Sequence, residues 1–436
     1  MTNRDMICNN LTVEGNDLLF AGVPVRAMAE KYGTPLYLFD ENKVRENCRT
    51  YLTALREEFG ENCRALYASK AAAFRALYRV MKDEGMGIDV VSSGEIATAY
   101  SAEYPLQNAF FHSNNKTDAD VRYAIDRGVG FFVADNEEEL LAINRIAGEL
   151  GVKQKALLRV TPGIDPHTYA EVATGKVDSK FGSPIETGAA KRVVEIALSL
   201  PNVDFVGYHC HVGSQVFDSD VYLQTVEIMF TFMAQMRDEL GFTASVMDLG
   251  GGYGVRYTSQ DPHIDIAANI HTVATAIKEK CAALNLPLPV ICMEPGRSIV
   301  ANAGLTAYTV GTRKVIEGYK TYISVDGGMA DNPRYALYRS AYTVLPATRM
   351  NEEFNATYSV VGRCCESGDI LQENVPLPKS MARGDILAVL TTGAYNYSMA
   401  SNYNRLPKPP VVMIRDGVDK LAVRRESLED LFRLDE

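Results

Sequence analysis

Eight short apolar, β-branched or aromatic runs between residues 65 and 293 each give way to polar, glycine-rich or ionisable residues, and stretches of helical period lie between them. "ALYAS" leads to Lys70, "GIDVVS" to "SGE", "AFFHS" to "NNK" and "GFFVAD" to "NEEE". "ALLRV" then leads to "TPG", "FVGYHC" to "HVGSQ", "SVMDL" to "GGGYG" and "VICM" to "EPGR". Such alternation predicts a parallel α/β sheet. The intervening "NEEELLAINRIAGELG" has an acidic first turn suited to a positive helix start and a closing glycine suited to a C-cap. Eight βα units with chemistry after each strand describe a TIM (β/α)8 barrel whose site lies on its C-terminal face. A doubly wound sheet is the rival arrangement.

Beyond residue 300 the helical period fades. "AYTVGTRKVIEGYKTYISVDGG", "YSVVGRCCESGDIL" and "GDILAVLTTGAYNYSM" read as antiparallel strands, and the strand-like start "NNLTVEGNDLLFAG" joins them. The sequence therefore predicts a barrel over 36–298 and a second, mostly antiparallel β domain from 1–35 plus 299–436.

The chain of 436 residues carries 55 acidic against 44 basic residues, a net charge of -11, with no long Lys/Arg run. That balance disfavours nucleic acid and anionic membrane as partners and favours a small molecule. The polar start and the absence of any run near the ~20 apolar residues of a membrane span predict a cytoplasmic protein. Eight scattered cysteines without a CxxC pair predict reduced thiols.

Four stretches carry chemistry. Lys70 in "YASKAAAF" sits where a strand meets a helix and is a candidate imine-forming amine, in competition with Lys116 and Lys180. Gly250, Gly251 and Gly252 follow a strand directly, either as a phosphate cradle or as a plain tight turn, and match neither the Walker nor the Rossmann spacing. "MEPGRS" places Glu294 and Arg297 around a Pro-Gly turn, either as a surface ion pair or as site residues at a strand end. In "HCHVGSQ", His209 and His211 share one face of an extended strand, so they are metal ligands in need of further partners or imidazoles facing a flat cofactor.

Taken in order, "YASKA", "HCHVGSQ", "DLGGGYG", "EPGRS", "CESGD" and "GAYNYSMASNYN" resemble the diaminopimelate decarboxylase family, a fold-type III group of pyridoxal-phosphate enzymes. The resemblance covers nearly the whole chain. It implies pyridoxal 5'-phosphate held by Lys70, with His211 stacked on its ring and Glu294 at the pyridine nitrogen. It further implies that Ser214, Gly250, Gly251, Gly252, Gly296, Arg297 and Tyr395 surround the cofactor, chiefly its phosphate.

For the substrate, the resemblance implies Arg297, Arg334 and Tyr338 on carboxylates, with Tyr395 beside them, and a homodimer whose partner supplies Cys365 as the acid and Glu366 for a distal ammonium. The implied reaction is decarboxylation of meso-2,6-diaminopimelate to L-lysine and CO2. Decarboxylation of D-lysine, D-ornithine or a carrier-bound amino acid, and a catalytically silent cofactor carrier, are the alternatives. Two departures stand out: Arg363 and Cys364 in "GRCCESGD" are atypical, and "HTYAEV" at 167–172 lacks a second histidine common in the family.

Overall fold

The computed structural model describes residues 6–164 and 179–436, so the "HTYAEV" stretch lies outside the described residues. The chain divides into two compact units. One comprises residues 47–254 and 264–296, the other residues 1–46, 255–263 and 297–436.

The first unit is a closed barrel of eight parallel strands: Cys63–Ala68, Gly87–Val90, Ala109–Phe111, Phe131–Ala134, Gln154–Thr161, Val203–His209, Val246–Asp248 and Val290–Met293. Each pairs with its neighbour in sequence, and the last pairs with the first through Ile291 to Met293 on Cys63 to Ala65. These are the eight apolar runs. A two-residue strand, Ser183–Pro184, extends Gln154–Thr161. Leu66, Phe110, Phe131, Val133, Leu157, Val246 and Cys292 fill a cluster inside the sheet, with the Phe110 and Phe131 rings stacked 4.4 Å apart. Gly207 lets the sixth strand approach the seventh, since a Cβ there would lie 1.9 Å from the Val246 carbonyl oxygen.

The surrounding helices start where side chains satisfy their first amides. Thr117 and Asp120 form a reciprocal capping box ahead of Asp118–Asp126, and Asn136 accepts from the Glu139 amide ahead of Glu137–Glu149. The acidic first turn of the latter helix is only partly a solvated face. Glu139 is buried, pairs with Lys116 at 3.1 Å and accepts the Asp135 amide.

The second unit is built on a mostly antiparallel sheet around the long strand Gly304–Ile316. That strand pairs antiparallel with Lys320–Val325, Ile386–Leu390 and Leu36–Asp40. The fully buried strand Leu36–Asp40 pairs in turn with Val411–Arg415. A boundary at residue 36 therefore falls before a strand that belongs to this sheet, and the barrel's own first strand begins at Cys63. The N-terminal segment forms a small three-stranded sheet whose Leu11, Leu18 and Phe20 join Leu38, Leu305 and Ala388 in one core. Among the described residues all eight cysteines are free thiols, and no helix is long and apolar enough to cross a membrane.

Candidate active site

Three segments at the carboxyl ends of the barrel strands are tied together by backbone. Val216 donates to the Gly252 carbonyl at 3.0 Å and accepts from Gly254 at 2.9 Å, which links "HCHVGSQ" to the glycine run. Glu294 donates to the Gly250 carbonyl at 2.8 Å, which links the run to "EPGR".

The glycines are demanded by this closeness. A Cβ on Gly251 would lie 2.1 Å from the Glu294 carbonyl oxygen, and one on Gly252 would lie 2.5 Å from that of Gly213. Gly250 and Gly252 also hold φ of +69° and +119°. The Gly250 amide donates to Asp248 Oδ1 at 2.9 Å and the Gly251 amide to His211 Nδ1 at 3.3 Å. Those two amides are thus engaged within the protein, and the second assigns the proton of a neutral His211 to Nε2. Burial, then the charge of Lys70, pushes His211 well below its ordinary value, so its ring is uncharged at neutral pH.

Of the candidate lysines, Lys70 occupies a short turn, Ser69–Ala71, directly after the first strand and is exposed. Lys116 is buried and engaged: its Nζ donates to the Val133 carbonyl at 2.7 Å and to Glu139 Oε1 at 3.1 Å. Lys180 is exposed beside the ring of Phe181. Only Lys70 combines an accessible amine with a place at a strand end.

Glu294 is the electrostatic centre of the barrel site. Its Oε1 lies 2.6 Å from His112 Nε2, its Oε2 lies 3.2 Å from His209 Nε2, and all three residues are buried. Burial alone would raise the carboxyl, but the two imidazoles outweigh it and hold Glu294 well below the usual carboxylate range. His209 is pushed down to about 4 by burial, against the opposing pull of Glu294, so it pairs as a neutral donor. Asp248 is raised well above its ordinary value by burial and then by the charge of Glu294.

His112, His209 and Glu294 present ligand atoms all within 4.8 Å of one another, a set whose chemistry suits zinc. The 2.6 Å contact, however, is too short for two ligands of one zinc ion. Two ligands, each about 2.0–2.2 Å from a tetrahedral zinc, lie roughly 3.3 Å or more apart.

The second unit holds a cationic and aromatic cluster. Arg297 is buried, donates to Tyr257 Oη at 2.6 Å and lies 4.7 Å from the centre of the Tyr395 ring. Arg334, equally buried, lies 5.2 Å from the same ring and 5.1 Å from that of Tyr338, and its Nε has no hydrogen-bond partner. Two guanidiniums thus share the Tyr395 ring, whose backbone is held at φ +65°. Such a pair is suited to receiving carboxylate.

Cys365 and Glu366 lie on an exposed loop of the same unit. Asp369 pins it by accepting the amides of Met329 and Cys364, each at 2.6 Å, and Asn404 accepts that of Cys365 at 2.7 Å. Arg363 and Cys364, the atypical pair, are accommodated through their backbone, the Arg363 amide donating to the Gly327 carbonyl at 3.0 Å. Among the described residues no hydrogen bond or ion pair joins Cys365 or Glu366 to Arg297, Arg334, Tyr338 or Tyr395.

Residues 41–301 match the pyridoxal-binding domain of the pyridoxal-dependent decarboxylases. The diaminopimelate decarboxylase of Bacillus subtilis is 41% identical over 418 residues, covering 96% of this chain and 95% of that protein. The chain belongs to the diaminopimelate decarboxylase family. A Staphylococcus aureus member is 38% identical over 96% of this chain and 97% of its own. The structure of the M. jannaschii enzyme in complex with L-lysine superposes with a TM-score of 0.90 at 31% identity, covering 100% of this chain and 99% of that one. A lysine/ornithine decarboxylase of Vibrio vulnificus, complexed with putrescine, gives 0.74 at 25% identity, covering 90% of this chain and 97% of that one.

The barrel fits the cofactor that this family uses. Glu294 Oε1 is buried without a hydrogen bond of good geometry and has lone-pair capacity for a protonated ring nitrogen. The glycine run leaves a cradle that any Cβ would fill. Sequence reasoning missed His112, Asp89, Asp248 and Tyr257. His112 had a detectable signal, since like Glu294 it is the first residue after a barrel strand.

Proposed function

We propose that this chain decarboxylates meso-2,6-diaminopimelate to L-lysine and CO2 with pyridoxal phosphate. When bound, the cofactor supplies a sink for the electron pair left behind as CO2 departs. In this reading the Lys70 amine anchors it, the neutral His211 ring lies against its face, and Glu294 holds a proton on its ring nitrogen. Ser214, Gly252 and Gly296 would hold the phosphate, a role the family resemblance also gives to Arg297 and Tyr395, while Gly250 and Gly251 shape the turn and orient His211.

The observation that carries the substrate assignment is the pair of buried guanidiniums at the Tyr395 ring. Arg334 is the one of the pair without a part in holding the phosphate: a monoamine end would leave it without an anion, whereas a second carboxylate supplies one. Cys365 and Glu366 serve the site of a second copy: the thiol returns a proton to the substrate carbon, and the carboxylate receives the distal ammonium. The exposure of both side chains on their loop supports a homodimer.

The test is direct: purified protein, pyridoxal phosphate and meso-diaminopimelate, with CO2 and L-lysine measured against D-lysine and D-ornithine as competing substrates. Stoichiometric L-lysine is expected. Preference for D-lysine or D-ornithine would transfer the assignment to the alternative decarboxylases, and cofactor binding without CO2 to a silent carrier.

A further inference from the structure

The Glu294 carboxylate does not stand alone at the end of the eighth strand. His112, the first residue after the third strand, is 5% exposed, and its amide donates to the Val90 carbonyl at 2.8 Å, which fixes its backbone to the second strand. Its Nε2 lies 2.6 Å from Glu294 Oε1 and 3.8 Å from Asp89 Oδ1 of the second strand. Its ring meets His209 edge to face with centroids 4.8 Å apart, so the two imidazoles brace each other on opposite oxygens of one carboxylate.

We propose that His112 is a positioning residue for the cofactor: its Nε2 holds Glu294 Oε1 as an oriented anion toward the pyridine nitrogen. The inference rests on the assignment of Glu294 to that nitrogen. Its physical basis is the cost of a buried carboxylate, which in a barrel interior either gains donors or takes up a proton. A protonated Glu294 would donate to an unprotonated ring nitrogen and leave the ring a poor electron sink. His209 Nε2 is the hydrogen-bond partner of Oε2 at 3.2 Å, and His112 Nε2 makes the closer polar contact, 2.6 Å from Oε1 but outside good hydrogen-bond geometry before the ring nitrogen is in place. The charged groups that act on the cluster are Asp89 and Asp248 on the acidic side and Lys70 and Arg159 on the basic. His112 touches no reacting atom in this account and acts through Glu294.

The experiment compares cofactor-free wild type with the His112→Gln, His112→Asn and Glu294→Gln variants. Each is titrated by fluorescence with pyridoxal phosphate and with its 1-deaza analogue, in which carbon replaces the ring nitrogen. Wild type is expected to bind pyridoxal phosphate the more tightly. The His112 variants should lose roughly tenfold of that preference, the scale of one charge-assisted contact, while keeping their affinity for the analogue within about twofold. In the loaded variants the absorbance band should shift as the ring nitrogen loses its proton, and kcat should fall more than KM rises.

A merely structural role would lower both affinities equally and overturn the proposal, as would an unchanged preference. If one substitution prevents folding, the other carries the comparison, and near-ultraviolet circular dichroism identifies which is folded. Loss of both to misfolding, with Glu294→Gln folded, would also count as a structural role. Should Glu294→Gln itself retain the preference, the assignment of Glu294 fails, an outcome distinct from failure at His112 alone.

Discussion

Replacing Arg334 with leucine tests the diacid assignment where the geometry is most specific. Arg334 is 6% exposed, its guanidinium is flanked by Tyr338 and Tyr395, and its Nε lacks a partner. A substrate carboxylate placed on it would gain charge-assisted hydrogen bonds, each worth about 1.5–3 kcal/mol. Losing one such contact lowers kcat/KM for meso-diaminopimelate by roughly 10- to 150-fold. D-lysine has no second carboxylate and loses only what the ring packing contributes, an effect that falls on both substrates and cancels in their ratio. The ratio of kcat/KM for the two, read from initial CO2 release, should therefore narrow by one to two orders of magnitude, roughly. A parallel fall, leaving the ratio unchanged, would refute the carboxylate role and make Arg334 a packing residue.

Lys70→Ala should abolish borohydride fixation of the cofactor at little cost in stability, because that side chain is exposed. Lys116→Met should keep the fixation but lose about 3 kcal/mol in chemical denaturation, since it strands the buried Glu139 carboxylate; the reverse outcome would exchange the two lysines' roles. Lys70→Ala and Cys365→Ala, each nearly inactive, should recover partial activity on subunit exchange, and no recovery after exchange is proven would place Cys365 in its own chain's site. Asp331 is buried, accepts from Tyr308 and from the Gly328 amide at 3.1 Å, and burial pushes it up to about 7. A raised carboxyl means that the folded state keeps a proton the unfolded chain has released, so its contribution is present below about pH 4 and is lost as pH rises toward 7. Asp331→Asn should flatten thermal midpoints across that window, and an unchanged slope would show that the group does not control it.

The barrel was legible because a run of apolar residues ending in polar, glycine-rich or ionisable residues is a local signal, and it repeats eight times. The placement of Leu36–Asp40 was not, because a fully buried strand reads alike whichever sheet it enters. The same distinction divides the site. Lys70, His211, Glu294 and the glycines announce themselves by residue type at a strand end. Arg297 and Arg334 were read as a pair, but only the fold brings them onto one tyrosine ring.

His112 exposes the deeper limit. Period-two alternation identifies residues of one strand that share a face, as it does for His209 and His211. It is silent about which inward residues of other strands they meet. His112 follows the third strand and Glu294 the eighth, with the first and second strands between them in the closed sheet. They touch because a barrel of eight strands is narrow enough for side chains from opposite walls to fill its interior. Closure thus converts residues 182 positions apart (294 minus 112) into a 2.6 Å pair. It also brings imidazoles from two walls to one carboxylate: His209 is the hydrogen-bond partner of Oε2, and His112 lies 2.6 Å from Oε1, which keeps lone-pair capacity for a cationic ring nitrogen.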